Sequence, residues 1–340
     1  MTSPLWFIKL THFEYWPTKI FYLPMIPQWI FLAIKTRSLT FFTNINPLMY
    51  MSGMFGASKA AILDAIPADY KPVTLLIVGN EVNADRIKKL MEIHALQYPI
   101  ILKPNVGERG TGVEKIISDA MLETYLQENQ GDLILQEFVQ ANIELGVFYI
   151  REPDEEFGKV TSVTLREFMG VRGNGKASIE ELMQQEARTR FQLPETRRRM
   201  GEGINEILKN DEFRLLEPIG NHCRGTMFVD SNRLINSQLS TVFDGIAKQI
   251  DGFYYGRFDL KVNSYEDLYA GKTIKILELN GTNSEPGHVY DPNYSLLKAY
   301  RDMYWHWHKM AKISIQQRKR GILPKGFWEV VDGLKQEFGA

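Results

Sequence analysis

The chain has 340 residues, of which 44% are hydrophobic and 24% are charged, and its formal net charge is −1. This balance is typical of a globular protein of two or three packed units, without the global field that would recruit nucleic acid. Cys223 is the single cysteine, which excludes an intramolecular disulfide and suits a reducing, cytoplasmic compartment.

Residues 1–50 are rich in aromatic side chains and carry few charges, most of them positive. They lack the pattern of a signal peptide, and the uncharged run 20–34 is too short to span a bilayer. Two interpretations stay open. The aromatic side chains pack against the rest of the protein, which we favour, or they form an interfacial anchor that holds the protein at the inner face of the membrane.

The hydrophobic pattern from residue 57 onward predicts helices and strands in a mixed order. In the first part, helices are predicted over 57–66, 84–97 and 119–129, and strands over 73–78, 99–103, 112–116 and 132–139. Later strands are predicted over 145–152, 159–168, 226–230, 253–262 and 273–280, with helices after Ser178, up to about Asp251, over 293–313 and at the C-terminus. Antiparallel strands with helices packed on them indicate an α+β fold and not a doubly wound Rossmann sheet.

The stretch "YPIILKPNVGERGTGVEKI" (98–116) contains a glycine-rich loop between two predicted strands. No Gly-Lys-Ser/Thr closes the loop, so it is not a Walker loop, and its glycine spacing differs from the dinucleotide fingerprint. Glycines at a hairpin tip let backbone N–H groups approach phosphate oxygens, and Lys103 on the preceding strand could add an ammonium group. A plain flexible hairpin with a surface lysine is equally consistent with this stretch.

Four polar residues on two predicted strands form the stronger signal. Arg257 and Asp259 lie two apart in "GRFDLKV", and Glu278 and Asn280 lie two apart in "LELNG", so each pair shares one face of its strand. If the strands pair, two carboxylates and an amide oxygen converge with an arginine. These hard oxygen donors suit Mg²⁺ or Mn²⁺ together with a substrate phosphate.

The order of these motifs resembles that of the ATP-grasp superfamily, and most nearly the D-alanine–D-alanine ligase-like carboxylate–amine ligases. The resemblance covers about Ser58 to Tyr300 and includes "QEFV" (136–139) at the end of a strand. It implies an ATP-grasp fold, in which two α+β subdomains clamp ATP, with a reduced or atypical N-terminal domain. The implied organisation is an aromatic-rich segment at 1–56, an α/β part at 57–97, a lid subdomain at 98–144, a catalytic subdomain at 145–313 and a helical tail at 314–340.

The resemblance also implies which residues bind ATP. Lys59 and Lys103 match the two phosphate lysines of the family, and Glu144 falls where a carboxylate holds the ribose hydroxyls. The segment that reads the adenine matches Gln136, Glu137, Phe138 and Val139. The lid over the β- and γ-phosphates matches Gly107, Glu108, Arg109, Gly110, Thr111 and Gly112.

The remaining implied roles concern catalysis. Asp259, Glu278 and Asn280 would hold the metal ions, while Arg257 and Lys103 would stabilise the transferring phosphoryl group and the oxyanion that follows. The implied reaction is an ADP-forming ligation, in which ATP activates a carboxylate as an acyl phosphate and an amine then attacks it. The expected partners are therefore a small-molecule carboxylate and an amine, without nucleic acid, while a homodimer stays open.

The sequence departs from the family pattern at several points. Glu108-Arg109 stands where relatives carry serine, which suggests that this pair influences the choice of acceptor. Residues 1–56 offer no counterpart of the usual N-terminal domain, and "GTNSEPGH" is longer than the usual segment after Asn280. His222 and Arg224 are both candidates for a further phosphate-directed cation. An ATP-grasp kinase and a non-catalytic, membrane-associated nucleotide-binding protein stay open as alternatives.

Overall fold

The computed structural model describes residues 3–107 and 110–338. Within them the chain forms two larger antiparallel sheets and a small two-stranded sheet, with helices packed on all three. This arrangement confirms the predicted α+β class. No helix in the described part of the chain is long and apolar enough to cross a membrane.

The N-terminal segment is helical, which the sequence analysis did not predict. Its helices are α1 (Leu5–Thr11), α2 (Thr18–Tyr22) and α3 (Ile26–Thr36), and α4 (Lys59–Asp64) follows after an irregular stretch. Ser58 caps α4 by accepting a hydrogen bond from the backbone N–H of Ala61, as expected from its position before the helix.

The first large sheet consists of β1 (Thr74–Ile77), β2 (Ile100–Pro104), β3 (Glu114–Ile116) and β4 (Leu133–Glu137). Its spatial order is β1-β4-β2-β3, and all neighbouring strands are antiparallel. Helices α5 (Ala84–Ile93) and α6 (Asp119–Glu128) cover one face of this sheet. Their apolar side chains form a separate core with those of the strands, including Ile87, Leu122, Ile100, Leu102 and Leu135.

The chain then enters the second sheet with β5 (Ile143–Ile150) and β6 (Lys159–Glu167), and leaves it for a small unit. That unit consists of β7 (Gly170–Arg172), α7 (Ile179–Met183), α8 (Ala187–Met200) and β8 (Phe213–Leu215), with its own apolar core. A helix was predicted after Ser178, and α7 starts there with a capping box, in which Ser178 and Glu181 bond to each other's backbone N–H groups. The short strands β7 and β8 were not predicted.

The second sheet is completed by β9 (Met227–Asp230), α9 (Ser237–Ala247), β10 (Tyr255–Val262), α10 (Tyr265–Ala270) and β11 (Lys275–Asn280). Its spatial order is β11-β10-β5-β6-β9. The chain ends with α11 (Leu296–Lys319) and α12 (Phe327–Phe338).

Both faces of the second sheet are covered, which explains the continuous apolar run of β5. Leu145, Val147 and Tyr149 pack with α9 on one face. Phe148 and Ile150 point to the opposite face, where they pack with residues of α3 and α11. The N-terminal helices are therefore part of the core, and on this side the aromatic segment packs against the rest of the protein.

Candidate active site

One face of the second sheet changes from apolar to polar along its strands. Tyr255 at the start of β10 lies opposite Ile150, in the core beneath α3 and α11. Arg257, Asp259 and Lys261 follow on the same face. The predicted pairing of β10 with β11 is observed, because Arg257 lies opposite Asn280 and Asp259 opposite Glu278. The four polar residues singled out in the sequence therefore converge on one surface. We call Arg257, Asp259, Glu278 and Asn280 the polar row.

Asp259 lies at the centre of this surface and is 3% exposed. Its Oδ1 accepts hydrogen bonds from Nε of Arg257 at 2.7 Å and from Nη2 of Arg166 at 2.7 Å. Its Oδ2 accepts from Nη2 of Arg257 and Nδ2 of Asn280, both at 3.1 Å. Burial alone would raise the pKa of Asp259, but the two guanidinium groups hold that pKa below its usual value.

Arg166 on β6 was not singled out in the sequence. Its Nη1 donates to Oε1 of Glu144 at 3.1 Å and to the carbonyl oxygen of Gly220 at 2.7 Å, so it joins Glu144 to Asp259. The register places Thr164 opposite Gly146, so Arg166, two residues further, lies on the same face as the polar row. The sequence signal that could have identified Arg166 is its spacing, because it lies an even number of residues from the inward-facing side chains of a buried strand.

Gly146 on β5 lies directly opposite Asp259 in the register. A Cβ atom at Gly146 would lie 3.2 Å from Cδ of Arg257 and 3.4 Å from Oδ1 of Asp259. The close approach of these two side chains to the β5 backbone therefore depends on the absence of a side chain at this position.

Glu144 is 6% exposed and lines the same cavity as the polar row. Its second oxygen lies 3.9 Å from Nζ of Lys261, the residue opposite it on β10. The carboxylate that the resemblance assigns to the ribose hydroxyls therefore already contacts two cationic side chains, Arg166 and Lys261.

Lys59 and Lys103 lie close together because Asn105 ties α4 to the end of β2. The backbone oxygen of Asn105 accepts from the N–H of Lys59 at 3.0 Å, and its side-chain oxygen accepts from the N–H of Ala60 at 3.0 Å. Nζ of Lys59 lies 3.9 Å from Oε1 of Glu278 on β11. Lys59 on α4 and Lys103 on β2 therefore both reach toward the polar row.

Lys103 is 6% exposed and crosses from the first sheet to the second. Its Nζ donates to Oε1 of Gln136 and to the carbonyl oxygen of Leu277, both at 3.1 Å. Burial lowers the pKa of Lys103 to about 8, with Glu278 opposing the shift and Lys59 adding to it. An anion bound beside Lys103 would raise its pKa again and favour the ammonium form.

The segment that follows β4 connects the two sheets and lines the cavity. Gln136 contacts Lys103 and donates from Nε2 to Oγ1 of Thr74 at 3.0 Å. The Glu137 side chain accepts from the backbone N–H of Val73 at 3.0 Å, so it supports the edge strand β1. The carbonyl oxygen of Val139 accepts from Nζ of Lys261 at 3.2 Å, and that ammonium lies 5.1 Å from the centre of the Phe138 ring.

The glycine-rich loop joins β2 and β3 as a hairpin, as predicted. Gly107, Gly110 and Gly112 all adopt positive φ angles, of 136°, 71° and 68° respectively, and Gly107 and Gly110 line the cavity. The carbonyl oxygen of Gly112 accepts from the Tyr125 hydroxyl at 2.7 Å, which fixes the base of the hairpin on α6. Thr111 is exposed, and Glu108 and Arg109 lie outside the described residues.

The two candidate cations of the 220–226 loop have different surroundings. His222 lines the cavity, and its Nε2 lies 3.4 Å from Oε2 of Glu14. Nη1 of Arg224 lies 3.6 Å from Oε1 of Glu217 and 3.3 Å from the carbonyl oxygen of Val113, at the end of the glycine hairpin. Arg224 therefore supports the hairpin, while His222 is the one that borders the cavity.

All these groups border one cavity of about 780 Å³, a volume in the range of small-molecule sites. Residues from both sheets line it, as do side chains of the N-terminal segment, among them Trp16, Tyr22 and Trp29. The segment after β11 completes the wall and is held by residues 52–53, where the N–H of Thr282 donates to the carbonyl oxygen of Ser52 at 3.0 Å.

Glu285 in that segment is a further cavity residue that was not predicted. Its two carboxylate oxygens accept hydrogen bonds from the hydroxyl groups of Tyr22 and Tyr290. Burial raises the pKa of Glu285 to about 7, and the bond from Tyr290 opposes this shift only partly. No local motif marks Glu285, because its partner Tyr22 lies on α2, far away in the sequence.

The oxygen donors of Asp259, Glu278 and Asn280 fit a hard divalent cation if phosphate oxygens complete its coordination. Across residues 3–107 and 110–338, no three His, Cys, Asp or Glu side chains are grouped as a metal site. Asp259 is also engaged by two arginines, whereas the Glu278 side chain is 36% exposed. Phosphate oxygens would therefore have to complete the coordination, which is how Mg²⁺ is usually held at nucleotide sites.

No protein-family model matches the sequence, and no curated protein matches it either. Among solved structures, the VanG D-Ala:D-Ser ligase from Enterococcus faecalis is 15% identical, with a TM-score of 0.43 over 78% of this chain and 62% of that one. The D-alanine–D-alanine ligase from Bacillus anthracis is also 15% identical, with a TM-score of 0.41 over 80% and 70%.

A bifunctional glutathione synthetase from Pasteurella multocida is likewise 15% identical, with a TM-score of 0.35 over 69% of this chain. The chain spans 34% of the length of that synthetase and 62% of that of the VanG ligase. Because all three TM-scores lie below 0.5, the function of this chain has to be inferred from its own geometry.

Proposed function

We propose that this protein is an ATP-dependent ligase of the ATP-grasp type. It would activate a small-molecule carboxylate as an acyl phosphate, join it to an amine, and release ADP and phosphate. The observation that carries the proposal is the convergence of Lys59 and Lys103 with Arg257, Asp259 and Glu278 around one cavity. Two lysines, an arginine and hard oxygen donors form the charge arrangement that phosphoryl transfer requires.

In this proposal ATP lies between the two sheets. Its phosphates bind Lys59 and Lys103 beneath the hairpin of Gly107, Gly110 and Gly112, whose positive φ angles suit backbone N–H groups that turn toward an anion. Its base borders the connector from Gln136 to Val139, and its ribose lies beside Glu144. Glu144 would have to share its carboxylate between the ribose hydroxyls and its present cationic partners.

Asp259, Glu278 and Asn280 would hold Mg²⁺ or Mn²⁺ together with phosphate oxygens. When bound, the metal supplies positive charge that offsets the negative charge of the nucleotide phosphates. Nδ2 of Asn280 donates to Asp259, so the oxygen of the same amide is not used in that contact. The Asp259 carboxylate also orients Arg257, which links the metal ligands to the guanidinium group.

Arg257 is the residue best placed to stabilise the reacting groups. Three of its five N–H donors contact Asp259 and the carbonyl oxygen of Glu285, which leaves up to two for a ligand. The substrate carboxylate oxygen forms a bond to the γ-phosphorus as the bond to the ADP oxygen breaks. The amine then attacks the acyl carbon, Arg257 stabilises the oxyanion, and phosphate leaves. The closed hairpin would exclude water from the acyl phosphate.

Release of ADP and trapping of the intermediate test the proposal. The full chain is incubated with ATP, Mg²⁺ and pools of carboxylic acids and amino acids, with and without hydroxylamine as the acceptor. A ligase forms a hydroxamate together with ADP. ADP release with a hydroxyl acceptor and without hydroxamate would instead indicate a kinase, and ATP binding without turnover on any pool would contradict an enzymatic role.

A matched pair of variants tests the metal ligands. Glu278→Gln removes one carboxylate charge from the site and should lower kcat by about 10²- to 10³-fold, because the lost electrostatic stabilisation acts on the phosphoryl transfer itself. Glu266→Gln makes the same change on exposed surface of α10 and should have no effect. Wild-type turnover by Glu278→Gln would refute the assignment of this residue.

A further inference from the structure

The cavity extends from the polar row into a part lined by aromatic side chains. We call this part the aromatic compartment, and its walls are Phe13, Trp16, Tyr22, Trp29, Tyr290 and Trp307. The Tyr22 ring stacks on Trp307 at 5.8 Å, and Trp29 meets the same Trp307 edge-on at 5.4 Å. The N-terminal segment supplies four of these six side chains, so it forms one end of the ligand cavity.

The carboxylate of Glu285 faces this compartment without a cationic partner in the described part of the chain. It accepts hydrogen bonds from the hydroxyl groups of Tyr22 and Tyr290. Glu14, another carboxylate on the cavity wall, is paired with Arg188 and lies near His222. A carboxylate in a desolvated site requires either a proton or a cation, so Glu285 is the position where a positively charged ligand group would be stabilised.

Glu285 also adjoins the proposed reaction centre. Its carbonyl oxygen accepts a hydrogen bond from Nη1 of Arg257 at 3.1 Å. The guanidinium that would stabilise the oxyanion therefore contacts the backbone of the same residue whose side chain would bind the ligand group. This arrangement suits the second substrate of a ligation, which must reach the acyl carbon.

We propose that the aromatic compartment binds a primary amine with an aromatic body, and that Glu285 receives its ammonium group. The inference rests on the proposed function and specifies the acceptor. The ammonium first forms an ion pair with the carboxylate and then transfers one proton to it. The nitrogen lone pair forms the C–N bond at the acyl phosphate, and the bond from carbon to the phosphate oxygen breaks. The second proton of the nitrogen leaves with the departing phosphate, which is released as hydrogen phosphate.

Binding of two nearly isosteric probes tests this acceptor site. Titration of the full chain with 2-phenylethylamine and with 2-phenylethanol is followed by tryptophan fluorescence at pH 8. The wild type should bind the amine at least tenfold more tightly than the alcohol, in line with a hydrogen bond to a charged group. Glu285→Gln should lose this preference, whereas Glu266→Gln should keep it. Equal binding of both probes by the wild type, which needs no variant, would overturn the proposal.

Failure of this inference can be distinguished from failure of the proposed function. Hydroxylamine is uncharged near neutral pH and carries no ammonium group, so hydroxamate formation by the wild type tests the ligase separately from the acceptor site. Hydroxamate formation without a preference for the amine probe would refute the acceptor site alone. A preference for the amine probe without hydroxamate would refute the ligase and retain the amine-binding compartment.

Exposed apolar side chains on the N-terminal helices are a second, independent feature. On α3 and just before it, Leu23, Ile26, Ile30 and Ile34 follow helical spacing, and Ile34 is 72% exposed. On α1 the exposed side chains are Trp6, Phe7 and Leu10. We call these seven residues the outer apolar surface.

The exposed charges within residues 1–50 have one sign. Among residues 1–50 the single acidic residue is Glu14, which is buried and paired with Arg188. Lys9, Lys19 and Lys35 are all exposed. Apolar side chains interspersed with cations are complementary to a bilayer with anionic headgroups.

We infer that the outer apolar surface docks on an anionic lipid bilayer, with α1 and α3 lying in the interface. Helix α3 contributes Trp29 to the aromatic compartment on its inner side, so docking would hold one end of the cavity at the membrane. The interpretation of residues 1–50 as an anchor thereby becomes compatible with their packing role, because different side chains serve each purpose.

Flotation of the full chain with lipid vesicles tests the docking surface. Vesicles of phosphatidylcholine with 30% phosphatidylglycerol should bind the wild type at least tenfold more strongly than pure phosphatidylcholine. The double variant Ile30→Ser/Ile34→Ser should lose most of this binding. The matched double variant Ile93→Ser/Ile117→Ser, at exposed positions of the first sheet unit, should retain it.

Two results would overturn the membrane assignment. One is equal flotation of the wild type and Ile30→Ser/Ile34→Ser. The other is a wild-type dimer in solution that this variant converts to a monomer without any change in lipid binding, which would assign the surface to a second copy of the chain. Lys19→Gln/Lys35→Gln provides an additional check, because it should reduce the preference for anionic vesicles and leave the monomer intact.

Discussion

Replacing Glu285 by glutamine should change how the stability of the protein depends on pH. Burial raises the pKa of Glu285 to about 7, from an ordinary value of 4.5. Between these two values the folded protein holds a proton that the unfolded chain has released. Because the unfolded state then binds fewer protons, the free energy of unfolding falls as pH rises through this window. Below pH 4.5 both states are protonated, and the full stability is retained.

The magnitude follows from the difference of about 2.5 between the two pKa values. At about 1.36 kcal/mol per unit, the wild type loses about 3 kcal/mol between pH 4.5 and pH 8 through this one carboxyl group. Glutamine is uncharged and takes the place of the protonated acid, so Glu285→Gln avoids this loss. The variant should therefore resemble the wild type near pH 4.5 and exceed its stability at pH 8.

Urea unfolding followed by tryptophan fluorescence at pH 5 and at pH 8 measures this difference. Wild type, Glu285→Gln and the exposed control Glu266→Gln are compared at equal ionic strength, without ligand. A stability difference between Glu285→Gln and the wild type that does not change with pH would refute the assignment of a raised pKa. A similar pH-dependent gain in Glu266→Gln would show that the effect does not arise in the cavity.

Two further predictions concern the polar row of the second sheet. Arg166→Gln leaves Asp259 and Glu144 with one cationic partner fewer, and should lower the free energy of unfolding by about 3 kcal/mol in urea titrations. Unchanged stability would refute the role of Arg166 in offsetting these charges. Gly146→Ala places a methyl group 3.2 Å from Cδ of Arg257, which must move by a few tenths of an ångström. Turnover should fall about tenfold while stability, measured by thermal unfolding, changes by at most about 1 kcal/mol. Wild-type turnover would contradict the close packing at this position.

Much of the polar row could be predicted from local pattern. Two residues that lie two apart on a strand must share a face, so Arg257 with Asp259 and Glu278 with Asn280 could be grouped before any fold was known. Both stretches were predicted to be strands, so pairing of the two strands would bring the four side chains together. The register in which Asp259 lies opposite Glu278 confirms this grouping.

The hairpin with its glycines could be predicted for a similar reason. An apolar run that stops at Lys103 and resumes at Val113, with three glycines between, leaves few choices other than a turn. The roles of Glu108 and Arg109 in acceptor choice stay a prediction. Whether Lys103 binds phosphate also stays a prediction, although its position between Gln136 and Leu277 near Glu278 is consistent with that role.

The sequence by itself therefore determined the strand pairs, the capped helices and the chemistry available on each strand face, because these depend on residues close together in the chain. Only the tertiary structure decided that Arg166 joins Glu144 to Asp259, and that Tyr22 of α2 bonds Glu285 across more than 260 residues. It also decided that one side of the N-terminal segment lines the cavity, through Trp29, while another side is exposed to solvent, at Ile34. Such contacts depend on how separate elements pack, and no local spacing records which side of a short helix meets the core.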